Sequence, residues 1–261
     1  MNIKEIFFDL FGMFIERKTS DKRVGKILKK LLPKKINFNL IRLGEDNDGG
    51  YLVPNDLNNI DQNYSAGVGL LTKFEKDLEE KFSISSNMLD FNEIDKGILP
   101  KKSNFIKKKL SLNNNQNEIS INNWIQEIHK EIILKIDIEE DEYITLANIT
   151  DKNLKKIRIF IIEFHGLRNL RSVSFLNYFE KIVSRIDNHF YSCHLHVNNT
   201  SKIKKVNNLK IPDMIEVTFI RKDRISNFSN EFSELPHPLD QKTVLNRDEI
   251  FIDKNWYIND K

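Results

Sequence analysis

Residues 132–142 read Ile-Ile-Leu-Lys-Ile-Asp-Ile-Glu-Glu-Asp-Glu, an apolar run of strand length that ends on Asp137, passes Glu139 and enters an acid-rich, helix-forming segment over 141–147. A short apolar run handing over to a helical pattern describes a buried strand of an α/β sheet. In open sheets of that kind, ligands bind just outside the carboxyl ends of the strands. Asp137 is therefore either the polar end of a buried strand or part of a functional edge, and the flanking sequence bears on the choice.

Downstream, Arg158 to Phe164 (RIFIIEF) reads as a second strongly apolar strand ending at His165-Gly166, and residues 175–186 as a helix. Phe190 to Val197 (FYSCHLHV) alternates and ends in Asn198-Asn199, and Met214 to Arg221 (MIEVTFIR) is the last strand. Upstream, Tyr64-Ser-Ala-Gly-Val-Gly69 ends a short strand, and Thr72-x-x-Glu75 has the spacing of a capping box opening a helix to Phe82. Ser83 to Leu89 is a strand closed by Asp90, Phe105 to Ser111 another, and 121–128 a helix carrying Trp124. Strands separated by helical segments, with two closing strands, predict an α/β fold with a doubly wound, mostly parallel, Rossmann-like sheet.

Residues 1–37 form a helical N-terminal arm in this reading: an apolar stretch over 1–17 and a basic helix over 21–32 stopped by Pro33, expected to be accessory or to support a homodimer. Residues 38–226 are expected to make the main α/β domain. The irregular tail, 227–261, containing Leu235-Pro-His-Pro-Leu-Asp240, is expected to wrap it. The chain of 261 residues has 39% hydrophobic and 30% charged residues and a formal charge of +3, with its lysine runs nearly balanced by acids. That balance argues against a nucleic-acid footprint. No apolar run reaches membrane-spanning length, and a single cysteine, Cys193, excludes an internal disulfide framework. A cytoplasmic setting is the expectation.

Candidate chemistry lies at the strand ends. Gly67 and Gly69 sit between a strand and a helix N-terminus, where backbone N–H groups meet ligands. Asp90 follows Gly69 by 21 positions, the spacing at which an acid accepts hydrogen bonds from ribose hydroxyls; the simpler alternative is a glycine turn. The run Asp46-Asn-Asp-Gly-Gly50 is not a calcium loop, because position six counted from Asp46 is Tyr51 rather than glycine. Asp48 and Tyr51 are candidates for the substrate side. Side chains alternate along strands, so Glu163 shares a face with His165, His194 with His196, and Asp137 with Glu139. Asp137, His165 and His196 are the expected catalytic set, converging either as ligands of a divalent metal ion or as a metal-free acid/base cluster.

The ordered motifs I-R-L-G-x-D-x-D-G-G-Y-L-V-P (41–54), S-A-G-V-G (65–69), Asp90, L-K-I-D-I-E (134–139), I-E-F-H-G-L (162–167), H-L-H-V-N-N (194–199) and E-V-T-F-I-R-K (216–222) resemble the FkbM-type S-adenosylmethionine-dependent methyltransferases over residues 38–224. The resemblance implies a class I methyltransferase fold, seven strands with the last antiparallel, and O-methylation of a small sugar, free or nucleotide-linked, in surface polysaccharide biosynthesis. It places Ser65, Gly67 and Gly69 along the methionine part of S-adenosylmethionine, Asp90 at its ribose and Asp137 at the reaction edge. The family follows its acid motif with glycine and a small residue, where this chain has Glu140-Asp141. Competing classes are a nucleotide-sugar oxidoreductase and a non-catalytic scaffold that retains the fold.

Overall fold

The computed structural model describes residues 16–126, 130–227 and 229–257. The apolar helix expected over 1–17 lies almost wholly outside them, as does the end of the helix expected over 121–128. The first described helix, α1 (Asp21–Leu28), is capped by the Ser20 side chain and buries Val24, Ile27 and Leu28. Strands β1 (Leu40–Gly44) and β2 (Gly50–Pro54) pair as an antiparallel hairpin, so the acidic 45–49 stretch is its turn. Then come β3 (Gln62–Ala66), α2 (Lys73–Phe82), β4 (Ser85–Asp90), β5 (Ser103–Lys107), the short pair β6 (Lys109–Ser111) and β7 (Glu118–Ser120), and α3 (Ile121–Trp124). The second half runs β8 (Ile132–Ile136), α4 (Glu142–Asn148), α5 (Asp151–Leu154), β9 (Ile157–Phe164), α6 (Val173–His189), β10 (Phe190–His196), the hairpin β11 (Ile203–Val206) and β12 (Leu209–Pro212), and β13 (Ile215–Arg221).

Seven strands form one sheet in the order β10-β13-β9-β8-β3-β4-β5. Pairings from β5 to β9 are parallel, and the last strand, β13, inserts antiparallel between β9 and β10. Every residue of β8 and β9 is buried, as expected of parallel strands covered on both faces, which cannot show the polar alternation of a half-exposed sheet. This is the Rossmann-like α/β arrangement expected from the sequence, with its strand carboxyl ends on one edge.

Two local expectations are corrected. Phe105 to Ser111 is not one strand: β5 stops at Lys107, and β6 leaves the main sheet to pair with β7. The capping box at Thr72 does not form. Thr72 donates its hydroxyl to the Ile98 carbonyl, while Glu75 turns inward and pairs with Lys135 at 2.9 Å.

The N-terminal helix packs on the main domain, with Arg23 on Glu180 at 2.5 Å and Lys30 on Asp187 at 3.0 Å. The tail crosses the β10 side. Trp256 is fully buried and donates its indole N–H to the Lys210 carbonyl at 3.2 Å, and Asn199 Nδ2 donates to the Val244 carbonyl at 2.9 Å. Buried His194 Nε2 meets Asp240 Oδ1 at 2.8 Å. Burial holds the His194 imidazole below its ordinary value, outweighing Asp240. For Asp240, burial alone would raise the carboxyl, but hydrogen bonding to His194 and His196 holds it lower still.

Both folded-state values lie below their unfolded ones, so the folded chain binds fewer protons at these groups and acid removes their stabilisation. The His194 share is complete above its unfolded value of about 6.5 and falls as pH drops through that range; the Asp240 share is complete above about 3.9 and is lost below it. Replacing His194 by Gln is expected to cost about 1.5–3 kcal/mol at neutral pH, the range for a hydrogen bond to a charged group. The cost should shrink between pH 7 and pH 5. Denaturant titrations at both pH values check this, and a cost that grows on acidification would contradict it.

Candidate functional site

The site begins where β3 ends. Gly67 has φ +74°, and a Cβ there would lie 1.5 Å from the Asp137 carbonyl oxygen. Only glycine permits that approach. The approach is fixed from both sides: Gly67 N–H donates to the Leu89 carbonyl at 2.9 Å, and Asp137 N–H donates to the Ala66 carbonyl at 3.1 Å. The carboxyl ends of β3, β4 and β8 are thereby tied together. Gly69, at φ +57°, has open space where a Cβ would be and donates its N–H to Asp90 Oδ2 at 3.0 Å. Asp90 Oδ1 accepts the Asn92 N–H at 2.8 Å. Each Asp90 oxygen keeps a further lone pair for a ligand hydroxyl.

Outside these turns lies a cavity of about 830 Å³, within the usual size of ligand sites. Gly67, Gly69, Asp90, Asp137, Asp48 and Tyr51, six of the residues singled out from the sequence, lie on its wall. Ser65 does not. It is fully buried, and its hydroxyl accepts from Asn63 Nδ2 at 2.9 Å inside the sheet. Apolar Val68, Leu89 and Leu110 cover part of the wall, with Phe91, 66% exposed, at the rim. The wall carries five carboxylates (Asp48, Asp90, Asp137, Glu139, Asp141) against three lysines (Lys108, Lys109, Lys135). All three lysines are engaged, Lys109 with Asp141 at 2.8 Å, Lys135 with Glu75 at 2.9 Å, and Lys108 donating to the Asn115 carbonyl at 2.6 Å.

At the β8 edge, Asp137, Glu163 and His165 offer ligand atoms that all lie within 4.8 Å of one another, a group capable of coordinating a metal ion. His165 Nε2 lies 3.8 Å from Asp137 Oδ1, 3.8 Å from Glu163 Oε2 and 3.7 Å from Glu139 Oε2. On its other side Nδ1 is 3.5 Å from buried Glu142 Oε1, which also accepts the His165 backbone N–H at 2.7 Å. Tyr143 donates its hydroxyl to the His165 carbonyl. Helix α4 therefore holds His165 in place through two consecutive residues.

Burial raises the Asp137 carboxyl despite the favourable charges of Lys135 and His165. Burial and the neighbouring Asp137 charge raise Glu163 well above the carboxylate range, because adjacent carboxylates cannot both ionise cheaply. Burial would lower His165, but Glu142, Asp137 and Glu139 outweigh it and raise the imidazole. Tyr51, buried, is pushed well up by burial and then by Asp137.

His196 stands apart from this group. Its strand, β10, is separated from β9 by β13, so that Glu216 is the cross-strand neighbour of both His196 and Glu163. His196 Nδ1 lies 3.8 Å from Asp240. The expected convergence of Asp137, His165 and His196 is corrected to Asp137, Glu163 and His165. Glu216, between them, is pushed up to about 7 by burial.

Sequence reasoning also missed Lys135. It lines the cavity, with its Nζ 5.0 Å from the Tyr51 ring centroid and 5.3 Å from that of Phe74. The signal was available: it is the one charged residue inside the apolar run 132–136. Beyond Asp137 the chain turns sharply, with Glu139 at φ +50° and Glu140 at φ +71°, conformations that side-chain-bearing residues seldom adopt. Arg168 pairs with Glu140 at 2.9 Å. With this geometry in hand, a scan against protein-family models and a search of the curated proteins each find no match to the chain.

Proposed function

We propose that the protein is an S-adenosylmethionine-dependent O-methyltransferase acting on a sugar hydroxyl, of the kind used in surface polysaccharide biosynthesis. The observation that carries this reading is the cavity wall: a glycine turn, an acid at the second strand end and a surplus of carboxylates share one surface. A sulfonium cofactor is a cation, and a net negative wall attracts it. A nicotinamide dinucleotide brings a pyrophosphate, which the same wall repels; the third glycine of the dinucleotide fingerprint is also replaced by Thr72.

Further support comes from topology and backbone. The last strand inserted antiparallel beside β9 is the arrangement the family resemblance implies. Glu140, which stands where the family has glycine, adopts the left-handed conformation that favours glycine.

In this reading Asp90 holds the ribose hydroxyls, Gly67 and Gly69 let the backbone approach the methionine end, and Val68, Leu89 and Leu110 cover the base. When bound, the cofactor supplies an electrophilic methyl group that moves to the acceptor oxygen as the carbon–sulfur bond breaks. Asp48 and Tyr51 line the acceptor side. The hydroxyl proton passes to the group of Asp137, Glu139, Glu163 and His165, which gathers carboxylates and an imidazole at the end of β8 and β9. General-base help of this kind is worth about 10²–10⁴-fold, with the rest of the acceleration coming from alignment.

Asp90→Ala is expected to weaken S-adenosylhomocysteine binding by about 1.5–3 kcal/mol, roughly 10- to 100-fold, the loss of a charged hydrogen-bond acceptor. Fluorescence or calorimetric titration reads it directly. An unchanged affinity in a folded variant would remove Asp90 from the ribose.

A further inference from the structure

The geometry points to a divalent-cation site formed by Asp137, Glu163 and His165, with its open face toward the cavity, where the cation takes up acceptor hydroxyl oxygens. The use by the acceptor rests on the methyltransfer reading; the cation site itself does not.

The first argument is spacing. His165 Nε2 faces Asp137 and Glu163 oxygens at 3.8 Å each. These distances are too long for a hydrogen bond, yet all three groups converge within 4.8 Å. A hard divalent ion bonded to oxygen and nitrogen at about 2.0–2.2 Å draws neighbouring ligand atoms to roughly 3 Å from one another. A small inward movement of three side chains closes the site.

The second argument is the support behind the histidine. His165 is 7% exposed, and its Nδ1 looks onto the fully buried Glu142 carboxylate at 3.5 Å. A carboxylate behind the non-ligating nitrogen is the arrangement that orients metal-binding imidazoles and fixes their tautomer. With the N–H on Nδ1, the Nε2 lone pair faces three carboxylates, a placement that a positive charge at Nε2, a proton or a bound cation, makes favourable. Glu142 is itself held by the His165 backbone N–H at 2.7 Å, which keeps its carboxylate beside the ring.

The third argument is access. Asp137 lines the cavity and its side chain is 26% exposed, whereas Glu163 and His165 lie behind it. Protein ligands would occupy one side of the ion and leave positions toward the cavity. Two carboxylates and one imidazole with open positions suit Mg²⁺ or Mn²⁺. Such an ion lowers the pKa of a bound hydroxyl and turns an acid-rich edge into one that accepts oxygen-rich, neutral sugars. Glu139, outside the ligand set and 86% exposed, then receives the hydroxyl proton and passes it to solvent.

The test is titration of the intact chain with MnCl₂, followed by electron paramagnetic resonance of free Mn²⁺, with MgCl₂ as competitor. One Mn²⁺ per chain is expected, displaced by Mg²⁺. Glu163→Gln and His165→Ala should each weaken it by at least 10-fold, and Glu142→Gln, through its hold on the imidazole, by about 10-fold. His196→Ala should leave the affinity unchanged. Each variant is checked for folding by circular dichroism and for S-adenosylhomocysteine binding, which separates failure of the cation site from failure of the cofactor reading. Wild-type protein that takes up no Mn²⁺ at millimolar concentration would overturn the proposal without recourse to any variant, as would loss of binding in His196→Ala alone.

Discussion

Gly67→Ala is expected to destabilise the protein by about 2–6 kcal/mol, adding a left-handed conformation forced on a side-chain-bearing residue to an overpacked contact. The new Cβ would stand 1.5 Å from the Asp137 carbonyl oxygen. That atom is backbone, so no rotamer change relieves the clash. Either β3 and β8 part, at the cost of the Asp137 N–H bond to Ala66, or the Asp137 turn moves out into the cavity. Both disturb the same surface, so S-adenosylhomocysteine affinity should fall with stability. Gly69→Ala is the internal comparison. Its Cβ meets open space, leaving only the conformational cost at φ +57°, about 1–2 kcal/mol. Denaturant unfolding of the two variants decides the matter. Equal losses would mean that close backbone approach is not what Gly67 provides.

Lys135→Met should cost about 3–5 kcal/mol, because it strands a buried carboxylate. Lys135 Nζ and Glu75 Oε1 are 2.9 Å apart, with side chains 3% and 0% exposed. The lysine Nζ also lies over the Tyr51 and Phe74 rings, 5.0 and 5.3 Å from their centroids. Removing the charge while leaving Glu75 in place forces that acid to take up a proton or to draw in water. The double variant Lys135→Met with Glu75→Leu should regain most of the loss, since replacing a buried ion pair by apolar groups of similar volume is often near neutral. A double-mutant cycle in denaturant measures the coupling. If the two single losses simply add, the buried pair contributes no interaction of its own.

Much of this architecture was legible because β8 and β9 are predominantly apolar runs, and because the turn at Gly67 requires a glycine that the sequence displays. The glycine-turn side of the cavity was legible for the same reason: Gly67, Gly69 and Asp90 are local features of consecutive elements. The acidic cluster at the ends of β8 and β9 was only partly so. Alternation correctly put Glu163 on the face of His165, but the faces of one strand say nothing of which strand lies next to it. In chain order β10 follows β9, whereas in the sheet β13 separates them. That insertion is why His196 ended beside Glu216 and Asp240, and why Glu163 took its place. A break in register between Ser192 and His194 adds to the difficulty.

Residues governed by long-range charge were the least visible. Glu75 has capping-box spacing in sequence, yet its partner Lys135 lies sixty positions on and reaches it only in the folded chain. Glu142 likewise reads as an acid at a helix start, and only the packing of α4 against β9 turns it toward His165. Glu140 looked out of place as a substitute for glycine; its φ of +71° and its Arg168 partner show how the turn accommodates it.

The central claim is that the cavity beside Gly67, Asp90 and Asp137 binds an S-adenosyl cofactor. Calorimetric titration of the intact chain with S-adenosylmethionine, S-adenosylhomocysteine and NAD tests it most directly. One S-adenosyl ligand bound per chain, with no measurable heat from NAD, is the predicted result. No heat from either S-adenosyl ligand, or saturable binding of NAD instead, would contradict it.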